Sequence, residues 1–357
     1  MDLKLGEQLR ALPGPILITG HTGFKGTWLT FLLEHLGVST VGYSLAPEKD
    51  CLYDRAQLTV KIPEIYADIR DVATFRKFLG THKPSAIIHM AAQPLVLQSY
   101  KTPRETFDVN IMGTVNVLNE AFAADFVEAV IVVTTDKVYR NDNSGRAFVE
   151  TDPLEGKDPY SASKVGAEAA VSAWQQIQKV SGGPKVASVR AGNVIGGGDW
   201  AADRLLPDFL RAMDAGVAPQ VRSPNAIRPW QHVLEPLSGY LLLAERLFTE
   251  RAAFAEAWNF GPADEDARPV RWIVERLVSA TPGAAWTCDA TPQPHEASHL
   301  KLDSSKARAR LGWRPHWQLA TTLDKTLEWH ASWRRGKDMR AVTLAQITEY
   351  ANWAAER

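Results

Sequence analysis

The chain has 357 residues, 45% hydrophobic and 23% charged, and its 40 basic and 41 acidic side chains leave a formal net charge of -1. These figures describe one large or two modest globular domains, and the balanced charge supplies no bulk field for nucleic acid or an anionic membrane. Two cysteines (Cys51 and Cys288) point to neither a disulfide framework nor a metal cluster. With no signal-like apolar leader and no apolar run long enough to cross a bilayer, a cytoplasmic protein is expected.

Pro13, Gly14 and Pro15 close a polar leader, and residues 16–19 then read as a buried strand. A glycine-punctuated turn follows at Gly20, Gly23 and Gly26. From Lys25 to Leu36, apolar residues at Trp28, Leu29, Leu32, Leu33 and Leu36 have helical spacing. Residues 38–43, 64–67 and 86–89 read as strands, with a helix over 71–79 between the last two. A long amphipathic helix is expected over 104–124 and a Val-rich strand over 129–134. Another helix is expected over 161–180 and another strand over 185–190. Continuous apolar strands alternating with helices predict a doubly wound parallel sheet, an α/β Rossmann fold.

Beyond about residue 191 the rhythm breaks at Gly196, Gly197, Gly198, Pro207, Pro224, Pro229 and Pro236. This predicts a dinucleotide-binding domain over 1-190 and a smaller mixed α/β substrate-binding region over 191-357. A segment at about 232-258, helical over 237–247, is expected to return to the first domain. The twelve tryptophans are read mainly as core.

The string from Thr19 to Gly26 follows a strand and opens a helix, the context in which glycines let a backbone approach a pyrophosphate at a helix N-terminus. Asp68 and Ile69 could serve an adenine, by hydrogen bond and by packing; helix capping is the equal alternative for Asp68. No acid follows the second strand to bind a ribose 2′-hydroxyl, leaving Ser44 for a weaker bond. No arginine stands there for a 2′-phosphate, so NAD is favoured over NADP. Far downstream, Tyr160 and Lys164 lie one helical turn apart. A phenol beside an ammonium can take a proton from a sugar hydroxyl while a dinucleotide accepts the hydride.

These residues resemble the extended short-chain dehydrogenase/reductases. The likeness rests on TGHTGFKG at 19–26, HMAAQPLV at 89–96, TTDKVY at 134–139, DPYSASK at 158–164, SVRAGNVIGGGDWA at 188–201, IRPWQHVLEPLSGY at 227–240, WNFGP at 258–262 and PHEA at 294–297. Within that family the chain looks most like the branch that dehydrates CDP-glucose at C4 and C6. The resemblance implies a Rossmann domain with a small substrate domain, and a homodimer paired through the helices at about 104–124 and 161–180. It also implies NAD as cofactor and a role in deoxysugar and lipopolysaccharide biosynthesis. For cofactor contacts it points to Gly20, His21, Gly23, Phe24, Lys25, Gly26, Ser44, Asp68, Ile69, Ala91, Ala92, Tyr160 and Lys164. For substrate it points to Gln93, Asn193, Asp199, Trp200, Arg204, Arg228 and His295, with no metal.

A hexose dehydratase must oxidise C4, remove the C5 proton, expel the C6 hydroxyl and return the hydride to C6. Tyr160 would take the C4 proton, Lys164 would hold the ribose and depress the tyrosine pKa, and Thr135 would orient the C4 oxygen. Asp136 and Lys137 would serve the elimination, the lysine as neutral base or as charged stabiliser of the enolate. Two other readings share this sequence: a 4-epimerase or reductase on the same scaffold, and a dinucleotide-bound sensor without turnover.

Overall fold

A computed structural model of the chain describes residues 3–56, 62–280, 285–288 and 299–355. Seven strands form one sheet: β1 (Ile16–Thr19), β2 (Thr40–Ser44), β3 (Glu64–Tyr66), β4 (Ala86–His89), β5 (Ala129–Val133), β6 (Lys185–Ala191) and β7 (Ala257–Phe260). Their order is β7-β6-β5-β4-β1-β2-β3. Every pairing is parallel, with Ile16 beside both Thr40 and Ala86, and Ala129 beside Lys185. The order reverses between β1 and β4, which opens a crevice at the carboxyl ends of those two strands.

Alternate residues of each strand serve opposite faces. Ile16, Ile18, Ile88, Ile131 and Val189 pack on one side with Trp28, Leu237, Tyr240 and Trp258. Leu17, Ile87, Val130, Val132 and Val186 pack on the other with Phe75, Val117 and Val171. Four tryptophans (Trp28, Trp258, Trp313 and Trp329) are fully buried, in line with the core role expected of most of them. A separate cluster of Ile195, Phe209, Trp230, Ile273, Val274 and Leu323 forms beyond the sheet.

The helix expected over 104–124 is interrupted. Pro103–Phe107 and Gly113–Ala123 are α-helical, and Asp108–Met112 between them winds as a π-helix. The wider turn lets Asn110 reach sideways: its Oδ1 accepts from the Gln93 amide, and its Nδ2 donates to the Gln93 carbonyl and the Ser163 hydroxyl. Gly113 permits the packing that follows, since a Cβ there would lie 2.7 Å from Ile69 Cγ2. The helix Pro159–Ser181 starts at a capping box, where Asp158 and Ser161 exchange hydrogen bonds across the first turn. The helix Leu234–Thr249 packs against β5 and β6 of the sheet and leads into β7. Among the described residues no helix is long and apolar enough to cross a membrane.

Candidate active site

The crevice is floored by a turn that only glycine can make. Gly20 has φ +77°, and a Cβ on it would lie 2.8 Å from the Ala91 amide nitrogen. At Gly26 a Cβ would stand 2.1 Å from the Gly20 carbonyl oxygen. Gly26→Ala is therefore expected to cost about 1–3 kcal/mol of stability through overpacking, read by thermal unfolding. The helix Phe24–His35 starts here with Gly23 as its N-cap and no side-chain cap. The backbone cradle and the helix N-terminus fit a dinucleotide pyrophosphate.

One histidine ties the two strands at the reversal. Thr114 Oγ1 donates to the Asn110 carbonyl at 2.8 Å, so it accepts from His89 Nε2 at 3.1 Å. His89 Nδ1 is then the acceptor for Thr19 Oγ1 at 2.7 Å. Thr19 Oγ1 in turn accepts from the amides of Met90 and Ala91. Burial and the nearby Lys164 push His89 down to about 3, so this chain of bonds is neutral. It positions Ala91 against the glycine turn.

Several expected cofactor residues are engaged with the protein itself. His21 is fully buried, with Nε2 2.6 Å from Glu64 Oε2, and Tyr53 and Tyr66 donate to the same carboxylate. Its ring fills the space that a Cβ on Gly42 would need. Thus His21 braces the turn from behind. Thr22 Oγ1 donates to the Leu45 carbonyl, so Ser44 donates to Thr22 and keeps only acceptor capacity for a ribose. Asp68 is paired with Arg70 at 2.6 Å, which holds its carboxyl below the usual range. Capping of the helix Val72–His82 falls to Asp71, not to Asp68. Ile69 is buried beside Gly113.

The catalytic candidates converge. Thr135 lies two residues beyond β5, donates to Asp136 Oδ1 at 3.1 Å and sits close enough to Tyr160 to act on its phenol. Tyr160 and Lys164 share the buried face of the Pro159–Ser181 helix. Burial pushes Tyr160 up to about 12; Thr135 and the Arg204 charge work downward, and Asp136 works upward. The expected neutralising contact from Lys164 is not the one this geometry makes. Its ammonium donates to the Val133 carbonyl at 3.0 Å, and burial lowers it to about 8 against the raising effect of Glu168. Asp136 is 2% exposed, and burial raises its carboxyl despite the opposing charges of Lys137, Arg228 and Lys25. Lys137 is half-buried in the turn Asp136–Val138. Lys25 extends from the glycine turn towards Tyr240, 3.4 Å from its hydroxyl. Burial and the charges of Arg204 and Lys164 bring it down to about 7.

The substrate candidates divide. Arg204 is paired with Asp199 at 2.9 Å, and its charge is felt at Tyr160 and Lys25. Arg228 is 3% exposed, and its charge reaches Asp136. Asn193 is half-buried, its carbonyl accepting from the Gln231 amide. Two others are engaged with neighbouring side chains. Gln93 places both amide hydrogens, on Leu95 O and Thr106 Oγ1, and accepts from the Leu95 amide; this leaves it one lone pair. Trp200 packs among Trp329, His330 and Trp333 and, with Asp199, lines a small cavity beside them. His295 lies outside the described residues.

Sequence reasoning missed the buried ion pair Glu168–Arg190, 2.8 Å apart, which lies beneath these groups. Its available signal was a charge placed in each of two apolar settings: an arginine in a buried strand, and an acid one turn after Lys164.

The chain matches the family model described as GDP-mannose 4,6 dehydratase over residues 17–326. A CDP-glucose 4,6-dehydratase from Salmonella typhimurium is 46% identical over 342 residues, covering 94% of this chain and 95% of that protein. Two solved structures share the fold. A dTDP-glucose 4,6-dehydratase from Streptomyces venezuelae, with NAD and TYD bound, has a TM-score of 0.77 at 23% identity, covering 91% of this chain and 99% of that one. A UDP-glucose 4-epimerase from Thermus thermophilus, in complex with NAD, has a TM-score of 0.75 at 23% identity, covering 89% and 99%. The full-length match to the Salmonella enzyme and the span of the family model agree with the parallel sheet and the Tyr160–Lys164 helix: the chain belongs to the GDP-mannose 4,6-dehydratase family, within the extended short-chain dehydrogenase/reductases.

Proposed function

We propose that the protein is a hydro-lyase that converts CDP-D-glucose to CDP-4-keto-6-deoxy-D-glucose with NAD as cofactor. One observation carries the chemistry: a buried acid, Asp136, stands beside the Thr135–Tyr160 hydroxyl pair. Proton removal at C4 and proton delivery at C6 thereby share one pocket. The choice of CDP-glucose is supported by the relative that is 46% identical and carries that activity in its name. Asp136 also favours dehydration over 4-epimerisation, which needs no acid at C6.

When bound, NAD supplies a reversible hydride acceptor between C4 and C6. The glycine turn and the helix N-terminus at Phe24 hold its pyrophosphate, with Ser44, Asp68 and Ile69 on the adenosine side and Lys164 at the nicotinamide ribose. Tyr160 takes the C4 hydroxyl proton while Thr135 holds that oxygen in place. Asp136 is biased by burial towards its protonated form and delivers a proton to the departing C6 hydroxyl. Lys137 faces the same step at C5, as base or as stabiliser of the enolate. Arg204 and Arg228 offer guanidinium forks to the diphosphate.

In this reading residues 1-190, with the returning segment at about 232-258, hold the dinucleotide, and the remainder of 191-357 closes over the sugar nucleotide. The separate apolar cluster beyond the sheet supports that division. We read the assembly as a cytoplasmic homodimer. Phe107, Met112 and Ile177 are exposed along the two helices expected to pair, and a sedimentation measurement tests this.

Incubation with CDP-glucose should give a product lighter by one water, with solvent deuterium incorporated at C5. No water loss from any common nucleoside diphosphate hexose would overturn the reading. An unlabelled C5 in a 4-epimerised product would favour epimerase activity. Asp136→Asn should still oxidise C4, so reduced cofactor accumulates, while water loss slows by about 10²–10⁴-fold. Equal loss of both steps would contradict the assignment of Asp136 to the elimination.

A further inference from the structure

We infer that Glu168 and Arg190 form a positioning pair that brackets the Thr135–Asp136–Lys137 triplet and fixes it against the helix carrying Tyr160 and Lys164. The inference rests on the proposed dehydratase reading for its kinetic consequences only. The pair is buried, with each side chain 4% exposed.

All acceptor sites on the carboxylate are taken. Glu168 Oε1 accepts from Thr134 Oγ1 at 2.5 Å and Arg190 Nε at 2.8 Å. Its Oε2 accepts from Ser188 Oγ at 2.7 Å and Arg190 Nη2 at 2.8 Å. Thr134 immediately precedes the triplet. Arg190 Nη1 donates to the Tyr139 hydroxyl at 2.9 Å and the Glu150 carbonyl at 3.1 Å. Tyr139 is the second residue after the triplet, and its hydroxyl donates to Asn259 Oδ1 at 2.7 Å. Asn259 is tied in turn to the carbonyls of Phe148 and Asp303. One ion pair therefore grips both ends of the catalytic turn, Thr134 through the acid and Tyr139 through the base. The acid also belongs to the same helix as Tyr160 and Lys164, one turn beyond the lysine.

A buried ion pair adds little net stability, because desolvation cancels much of the attraction, whereas registry is what such a pair supplies best. Electrostatics act in the same direction. Glu168 is the group that opposes the effect of burial on Lys164. The other titratable groups that feel that ammonium are neutral His89 on β4 and Lys25 from the glycine turn, with Arg190 behind Glu168 and Tyr160 one turn back on the same helix.

The test uses the full-length protein with two variants. Glu168→Gln removes the charge and keeps the shape, but leaves a buried guanidinium unpaired. The double variant Glu168→Met with Arg190→Met replaces the pair by apolar side chains and keeps the protein falsifiable if the single variant does not fold. Turnover of CDP-glucose by the folded variant should fall by about 100-fold, the cost of a misplacement near 1 Å, while KM stays close to wild type. The alkaline limb of the turnover profile should move to lower pH, because Lys164 loses the charge that keeps it protonated. Hydrogen exchange reads the bracket without any substrate: peptides over 134–140 should lose protection while those over β1 and β4 keep theirs. A folded double variant with wild-type turnover, pH profile and protection over 134–140 overturns the inference. If the wild type itself fails to dehydrate CDP-glucose, the proposed function fails, and the exchange experiment still decides whether the pair holds the triplet.

Discussion

Replacing Tyr160 with phenylalanine is expected to lower turnover of CDP-glucose by about 10²–10⁴-fold while leaving substrate affinity and unfolding nearly unchanged. The ring stays, so the packing stays; only the hydroxyl near Thr135 is lost. Because the first step fails, no reduced cofactor should accumulate, in contrast to Asp136→Asn. Without a ligand the tyrosine is pushed up to about 12, mainly by burial, so a neutral-pH reaction needs added positive charge beside it. Arg204 already supplies some, and a bound nicotinamide would add more. A Tyr160→Phe variant with wild-type turnover would remove the phenol from the chemistry.

The largest stability effect is expected at Glu235, in a part of the molecule remote from the chemistry. This carboxylate is fully buried at the start of the helix Leu234–Thr249. It accepts from the amides of His316 at 2.8 Å and Trp317 at 2.7 Å, and from the Tyr350 hydroxyl at 2.8 Å. Through it, one side chain docks the 313–317 loop and the helix Met339–Ala355 onto the returning segment. Glu235→Ala would leave the two amides without an acceptor, while Tyr350 keeps Ser238 Oγ at 3.2 Å, a loss of about 2–5 kcal/mol at 1–3 kcal/mol for each orphaned amide. Denaturant unfolding monitored through tryptophan fluorescence measures it; a change within about 0.5 kcal/mol, as for an ordinary surface substitution, would show that the carboxylate is dispensable.

Burial raises the same carboxyl to about 7 from an ordinary 4.5, despite the bonds that favour its charged form. The folded state therefore holds a proton between about pH 4.5 and 7 that the unfolded chain releases. The stability from this group is present in full below the lower value and is lost as pH rises through the upper one. Glu235→Gln cannot ionise, so the difference in stability between wild type and this variant should drift against wild type from pH 5 to pH 8. A difference independent of pH would show that Glu235 does not titrate in that window.

Much of the sheet was legible because its strands are buried on both faces. Residues 16–19, 86–89 and 129–133 are nearly continuous apolar runs, and each is a strand. The glycine turn was legible for the same local reason: three glycines between a strand and a helix answer to backbone sterics, and Gly20 and Gly26 tolerate no Cβ. Less was legible where a side chain has two possible neighbourhoods. His21, Gln93 and Trp200 stand in motifs that suggest ligand contact, yet His21 Nε2 meets Glu64, the Gln93 amide meets Thr106 and the Trp200 ring packs on Trp333. The π-helical turn at 108–112 also escaped a periodicity argument, because its cause is Asn110 bonding to Gln93 and Ser163 at a distance.

By itself, then, the chain's order of residues determined the strands, the helices, the glycine turn and the Tyr160–Lys164 spacing, since each depends on neighbours within a few positions. Only the tertiary structure decided which charges are buried and against what. Glu168 meets Arg190 across 22 residues, and Glu235 meets Tyr350 across 115. Such meetings depend on where parallel crossovers return the chain, and desolvation at that place, rather than residue type, sets whether a carboxyl acts as an acid, an anchor or a brace.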